Sequence, residues 1–138
     1  MSDVLNKVKG RFTSEHTDEN GHVSEVGYLS IANWAYWTIT KRIGLFRLFK
    51  EHEVSGIVFD TNMQFKKENF DGDLVTIHLK INILEDNRKI LRELDIYNEK
   101  NELTVKINSN GGFLDLNKRK IVEPPKEILD NCIKYLKE

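Results

Sequence analysis

Residues 26–45 read VGYLSIANWAYWTITKRIGL, and the fold follows from how that stretch is interpreted. Val26, Leu29, Ala32, Tyr36, Ile39 and Ile43 recur at intervals of three and four, the period of a helix, while Ile31, Trp34, Ala35 and Trp37 make the other faces largely apolar. A helix of this kind belongs against a partner. Ser30, Asn33 and Thr38 interrupt it and Lys41-Arg42 follow, so it falls short of the ~20 apolar residues of a membrane span. Ser24 supplies an N-cap oxygen, and Glu25 places a negative charge in the first turn, where the helix dipole favours it. Ahead of it, Thr17-Asp18-Glu19-Asn20-Gly21-His22 has the composition of a tight turn.

Downstream the period changes from 3.6 to two. Ile57, Phe59, Thr61, Met63 and Phe65 alternate with polar neighbours and predict a half-buried strand. Asn69 to Asp73 supplies a turn, after which Val75, Ile77, Leu79, Ile81 and Ile83 mark a second long strand. The chain turns over Glu85 to Lys89, Ile90 to Tyr97 form a third strand, and Leu103, Val105 and Ile107 open a fourth. Gly111-Gly112 is expected to break that strand as a bulge or bend. Pro124-Pro125 ends the sheet, and Ile128, Leu129, Cys132, Ile133 and Leu136 predict a short C-terminal helix. Residues 2–9 read as a polar lead-in, with a short strand over Lys9 to Thr13 around Phe12. No connection between strands is long enough for a crossover helix, so the sheet is expected to be antiparallel. The fold class is α+β, a single domain over residues 1–138 with one long helix covered by a curved sheet.

Composition bounds the function. With 138 residues, 39% hydrophobic and 31% charged, the chain is of ordinary globular type, large enough for one core. A formal net charge of −1 offers no basic face for nucleic acid. The lone Cys132 forms no internal disulfide and lies in the last amphipathic stretch, where packing is the expected role. The opening MSDVLNKVKG lacks the apolar run of a signal peptide, so a cytoplasmic location is expected. There is no Cys/His metal spacing, Gly-rich phosphate loop or G-x-S-x-G elbow, so no metal or cofactor is expected.

With that layout reached, Thr17-Asp18-Glu19-Asn20-Gly21-His22-Val23 followed by Tyr28-Leu29 resembles the signature of hotdog-fold thioesterases of the 4-hydroxybenzoyl-CoA thioesterase type. In these a T-D-x-x-G turn leads into the central helix. Phe70-Asp71-Gly72-Asp73-Leu74-Val75 is similar to the family's G-D-x-(V/L) turn, Asn87-Arg88-Lys89 to its basic turn, and Val122-Glu123-Pro124-Pro125 to its closing stretch. The resemblance spans roughly residues 8–129. It departs at Ser24, Glu25 and Gly27, pocket positions where many members carry other residues, and so leaves the acyl group open.

The resemblance implies hydrolysis of an acyl thioester. A thiol leaving group has a pKa of about 8.5, so departure needs no strong acid, and one carboxylate acting as base or nucleophile suffices. Asp18 is the carboxylate it places in that role, with Glu25 as a candidate assistant. The free N–H groups at the helix start, that of Glu25 foremost, would hold the oxyanion. Tyr28 is placed in the substrate pocket, and Arg88 and Lys89 near the phosphates of coenzyme A. The implied partner is an acyl-CoA or an acyl carrier protein thioester, and the implied assembly a homodimer or homotetramer. A rival reading is a non-catalytic module that binds acyl-CoA as a ligand.

Overall fold

Alternation of apolar residues over long stretches gives the chain its sheet, and one long run that is apolar on most faces gives the helix that the sheet curves around. The computed structural model describes residues 5–137, so the start of the expected lead-in, residues 2–4, lies outside them. β1 (Lys7–Arg11) leads through a 3-10 turn (Ser14–His16) to α1 (Glu25–Arg42), and Gly44 separates α1 from the short α2 (Leu45–His52). Then follow β2 (Val54–Phe65), β3 (Leu74–Ile83), β4 (Lys89–Asn98), β5 (Leu103–Asp115), the two-residue β6 (Lys120–Ile121) and α3 (Lys126–Leu136). All pairings are antiparallel, in the order β1-β3-β4-β5-β2, with β6 added beside β5. This is the α+β hotdog arrangement.

The inner face of the sheet is apolar because its strands keep period two. Val75, Ile77, Leu79 and Ile81 of β3, Leu94 and Ile96 of β4, and Val105, Ile107 and Phe113 of β5 are buried. Onto them packs the stripe Tyr28, Ile31, Ala32, Ala35, Tyr36, Ile39 and Ile43. α3 adds Ile128, Cys132 and Leu136, each without exposed surface, and burial pushes the Cys132 thiol up to about 12. Cys132 is therefore a packing residue, as expected.

Four readings of the sequence are corrected. Val26 and Leu29 are not core: they are 74% and 43% exposed, and the buried stripe starts at Tyr28. Trp34, expected as helix core and subunit contact, is 45% exposed within the chain and lies over Gly10 of β1, so it is not part of the chain's own core. β2 is not half-buried on one clean face. It is an edge strand whose residues 58–62 are all exposed, and Phe65 is 53% exposed. Gly111-Gly112 does not break β5, which runs through to Asp115. The register slips on β2 instead, between Val58 and Asp60. The glycines are required by close approach, since a Cβ on Gly111 would stand 2.3 Å from the Ile57 carbonyl oxygen and one on Gly112 2.7 Å from that of Arg88.

The turn expected over Asn69 to Asp73 is present, closed by the Asp73 amide donating to the Phe70 carbonyl at 3.1 Å. β2 and β3 are not neighbours, and the connection carries the chain past the start of α1, where Asn69 accepts a hydrogen bond from the Val23 amide at 2.9 Å. That crossing builds the site.

Candidate active site

The turn before α1 is a small hairpin held by its own backbone. Thr17 pairs with Val23, and the Asp18 amide donates to the His22 carbonyl at 2.8 Å. The Asp18 side chain reinforces the turn: Oδ1 accepts from the amides of Asn20 at 2.9 Å and His22 at 3.2 Å. Oδ2 has no partner among the described residues. Asp18 is exposed, so this oxygen faces water or a ligand.

The base of the hairpin is fastened to the helix. The His16 carbonyl accepts from the Ser24 amide at 2.9 Å and the Ser24 hydroxyl at 3.3 Å, and the Ser24 oxygen accepts from the Gly27 amide at 3.1 Å, the expected N-cap. Gly27 allows this, because a Cβ there would stand 2.1 Å from the His16 oxygen. With Gly27 capped, the Glu25 and Val26 amides remain without acceptors among the described residues. Two first-turn donors backed by the helix dipole form an anion-binding element. The Glu25 carboxylate is exposed and unpartnered among the described residues.

Tyr28, expected in the pocket, is 3% exposed, and its hydroxyl is committed: it donates to Asn69 Oδ1 at 3.2 Å and accepts from the Asn69 amide at 3.2 Å. Burial holds its phenol above the ordinary tyrosine range. Its ring, edge-on to Phe12 at 5.3 Å, lines a cleft of about 220 Å³ with His22, Val23 and residues 65–69. Tyr28 thus staples the crossing segment to the helix and offers a ligand only its ring. His22 Nδ1 lies 2.6 Å from Glu68 at the rim of the same cleft.

Arg88 and Lys89 are exposed at the β3–β4 turn, where their amides donate to Asp86 Oδ1 at 3.2 and 3.3 Å. The Asp18 hairpin contacts Phe70, near the opposite end of β3. A ten-residue strand at about 3.3 Å per residue keeps the two ends about 30 Å apart. One chain does not bring Arg88 and Lys89 to Asp18.

A second groove, of about 370 Å³, runs between the exposed side of α1 and the inner sheet face, with Val26, Leu29, Asn33, Arg92, Leu94 and Ile107 in its lining. Sequence reasoning missed Arg92, although its signal was present: among the inward positions Ile90, Arg92, Leu94 and Ile96 it is the one charge. Its guanidinium lies 5.0 Å from the Tyr36 ring centroid, and Nη2 donates to Ser109 Oγ at 3.4 Å. Burial pulls its pKa below the ordinary arginine value, yet a guanidinium remains charged.

These features coincide with what comparison finds. A family model described as the thioesterase-like superfamily matches residues 13–132, and the chain belongs to that family. No curated protein matches the sequence. Among solved structures, the chain is similar to SAV2348 from Staphylococcus aureus, a hypothetical protein in complex with CoA, with TM-score 0.82 and 18% identity over 94% of this chain and 82% of that one. It is also similar to YbaW, a probable thioesterase from Escherichia coli, with TM-score 0.80 and 19% identity over 95% and 98%. Slr0204, a 1,4-dihydroxy-2-naphthoyl-CoA thioesterase from Synechocystis, follows at TM-score 0.76 and 16% identity over 92% and 93%. At these identities the likeness is one of fold. Among the described residues no helix is long and apolar enough to cross a membrane.

Proposed function

We propose that this protein is an acyl-CoA thioesterase with Asp18 as base or nucleophile. The observation that carries the reading is the hairpin clasped to the start of α1, which carries the exposed Asp18 and leads into a helix end with two uncapped amides. The thioester carbonyl oxygen lies on the Glu25 and Val26 amides, which stabilise the oxyanion as it forms. Asp18 Oδ2 either takes a proton from the attacking water or attacks the carbonyl carbon to give a mixed anhydride that water then hydrolyses; in both routes the C–S bond breaks, the thiolate leaves and the acyl group departs as the free acid. Glu25, exposed at the same end, assists by orienting water. Arg88 and Lys89 serve the coenzyme A phosphates of a site on a second subunit, since within one chain they stand at the far end of β3. The structural neighbour in complex with CoA supports coenzyme A over acyl carrier protein as the carrier.

The experiment is a panel of acyl-CoA esters, aliphatic and aromatic, assayed by free-thiol release. Turnover of at least one ester far above the uncatalysed rate is expected. Tight binding of esters without any thiol release would instead establish a non-catalytic acyl-CoA binding module, the reading favoured by the fact that Asp18 Oδ1 is already spent on its own turn.

A further inference from the structure

Arg92 is a cation on the wrong face of its strand. Its Nε is sealed from solvent with no hydrogen-bond partner, and no carboxylate pairs with the guanidinium among the described residues. Its contacts are the Tyr36 ring and a long bond to the Ser109 hydroxyl, itself 2.9 Å from that of Thr61. A ring face offsets only part of the cost of desolvating a permanent charge. On the outer face of the same sheet, by contrast, Lys80 and Lys106 each reach both Glu93 and Asp95 within 3.5 Å. Lys80 and Lys106 thus have counter-charges, whereas the more deeply set Arg92 has none among the described residues.

Arg92 lines the groove that starts at Val26, whose amide is one of the two uncapped donors. From Val26 to Asn33, also in the lining, is seven residues of helix, about 10 Å at about 1.5 Å per residue. Between the ends the walls are Leu29, Leu94 and Ile107. An occupant is therefore polar where it meets the helix start, apolar along its length and anionic at its far end.

We propose that this groove holds an acyl group bearing a distal carboxylate, bound by Arg92. A guanidinium meets a carboxylate through charge-assisted hydrogen bonds from its terminal nitrogens, which supplies the missing counter-charge. A methyl terminus would leave the cation unpaired. The inference rests on the reading that the chain takes acyl thioesters, and it selects ω-carboxyacyl or carboxyaryl thioesters among them.

The test compares two coenzyme A esters of equal length, one ending in a carboxylate and one in a methyl group, on the wild-type protein, Arg92→Met and Arg92→Lys. The wild type is expected to favour the carboxylate ester in kcat/KM by roughly ten- to a hundredfold, the scale of a hydrogen-bonded charge. In Arg92→Met the ratio falls to near one, and Arg92→Lys keeps part of it as a point charge without the fork. Melting of Arg92→Met at or above the wild-type temperature is expected, because an unpaired charge gives way to an apolar chain of similar length. A wild-type ratio near one, or a ratio unmoved in Arg92→Met, overturns the proposal, as does a large loss of melting temperature with the ratio unchanged, which marks Arg92 as a structural or intersubunit contact. If neither ester is hydrolysed, thioether analogues of the two are titrated by calorimetry. An Arg92-dependent preference for the carboxylate then sustains this inference while the hydrolase reading fails, and equal affinities overturn it.

Discussion

At the scale of single residues, the site depends on one missing side chain as much as on the groups that carry charge. Gly27 lets the His16 carbonyl lie against the first turn of α1, and that carbonyl anchors both the amide and the hydroxyl of Ser24. The obstruction is backbone, with His16 carbonyl carbon and Cα at 2.9 and 3.0 Å from the added Cβ, so no rotamer change relieves it. Alanine is better than glycine in a helix by about 1 kcal/mol, but overpacking of this kind costs about 1–3 kcal/mol. Gly27→Ala is therefore expected to lower the melting temperature and to reduce kcat further than folded fraction explains, because the displaced 3-10 turn leads directly into the hairpin that carries Asp18. A variant as stable and as active as wild type would show that the 3-10 turn is free to move.

At the scale of elements, the strands were legible where one face is buried within the chain itself. β3 keeps Val75, Ile77, Leu79 and Ile81 inward and reads directly from its alternation. β2 alternates as well, but it lies at the sheet edge and much of its apolar set is exposed, so periodicity alone misjudged its burial. The Gly111-Gly112 pair misled for a related reason: what it accommodates, the Ile57 and Arg88 carbonyls, comes from strands remote in sequence. The Asp18 turn was legible as a motif, whereas the commitment of the Tyr28 hydroxyl to Asn69 was not, since it depends on where residues 66–73 cross. The outer face of the sheet carries a pH dependence. Asn6 Nδ2 donates to His78 Nε2 at 2.8 Å, which requires the neutral ring. Burial first, then Lys7 and Lys80, hold the His78 pKa below its ordinary value, against the opposing pull of Asp95 and Glu93. A pKa lower in the folded state than in the unfolded one means that the unfolded chain binds the proton more readily. The stabilisation is thus complete above about pH 6.5, the unfolded histidine value, and is lost as pH falls through the folded value. Melting temperatures from pH 7.5 to 5 should fall more steeply for the wild type than for His78→Gln. Equal slopes would remove His78 as the cause.

At the scale of the whole molecule, one edge of the sheet is unfinished. β2 offers twelve residues of strand with a free edge, and Val58, Phe59 and Phe65 are 43%, 49% and 53% exposed. A long apolar edge invites pairing with another chain. We expect two copies to join along β2 about a two-fold axis, which sets the far end of one sheet beside the near end of the other. That arrangement gives Arg88 and Lys89 a route to the Asp18 of the second subunit. Light scattering should return twice the chain mass or a multiple of it, and Val58→Lys should shift the protein toward monomer with loss of turnover. A monomeric wild type that hydrolyses thioesters would contradict both the pairing and the shared site.

The central claim is that the Asp18 carboxylate performs the chemistry while the helix end holds the oxyanion, and replacing that carboxylate with its isosteric amide tests it most directly. Asp18→Asn retains the acceptor oxygen that caps the Asn20 and His22 amides, so the turn and ligand binding should persist. Thiol release from the best ester of the panel should fall at least about 10²–10⁴-fold, the scale of general-base catalysis, and further if Asp18 is the nucleophile. Turnover at the wild-type rate in a folded, ligand-binding Asp18→Asn protein would contradict the account and leave Asp18 as a turn residue.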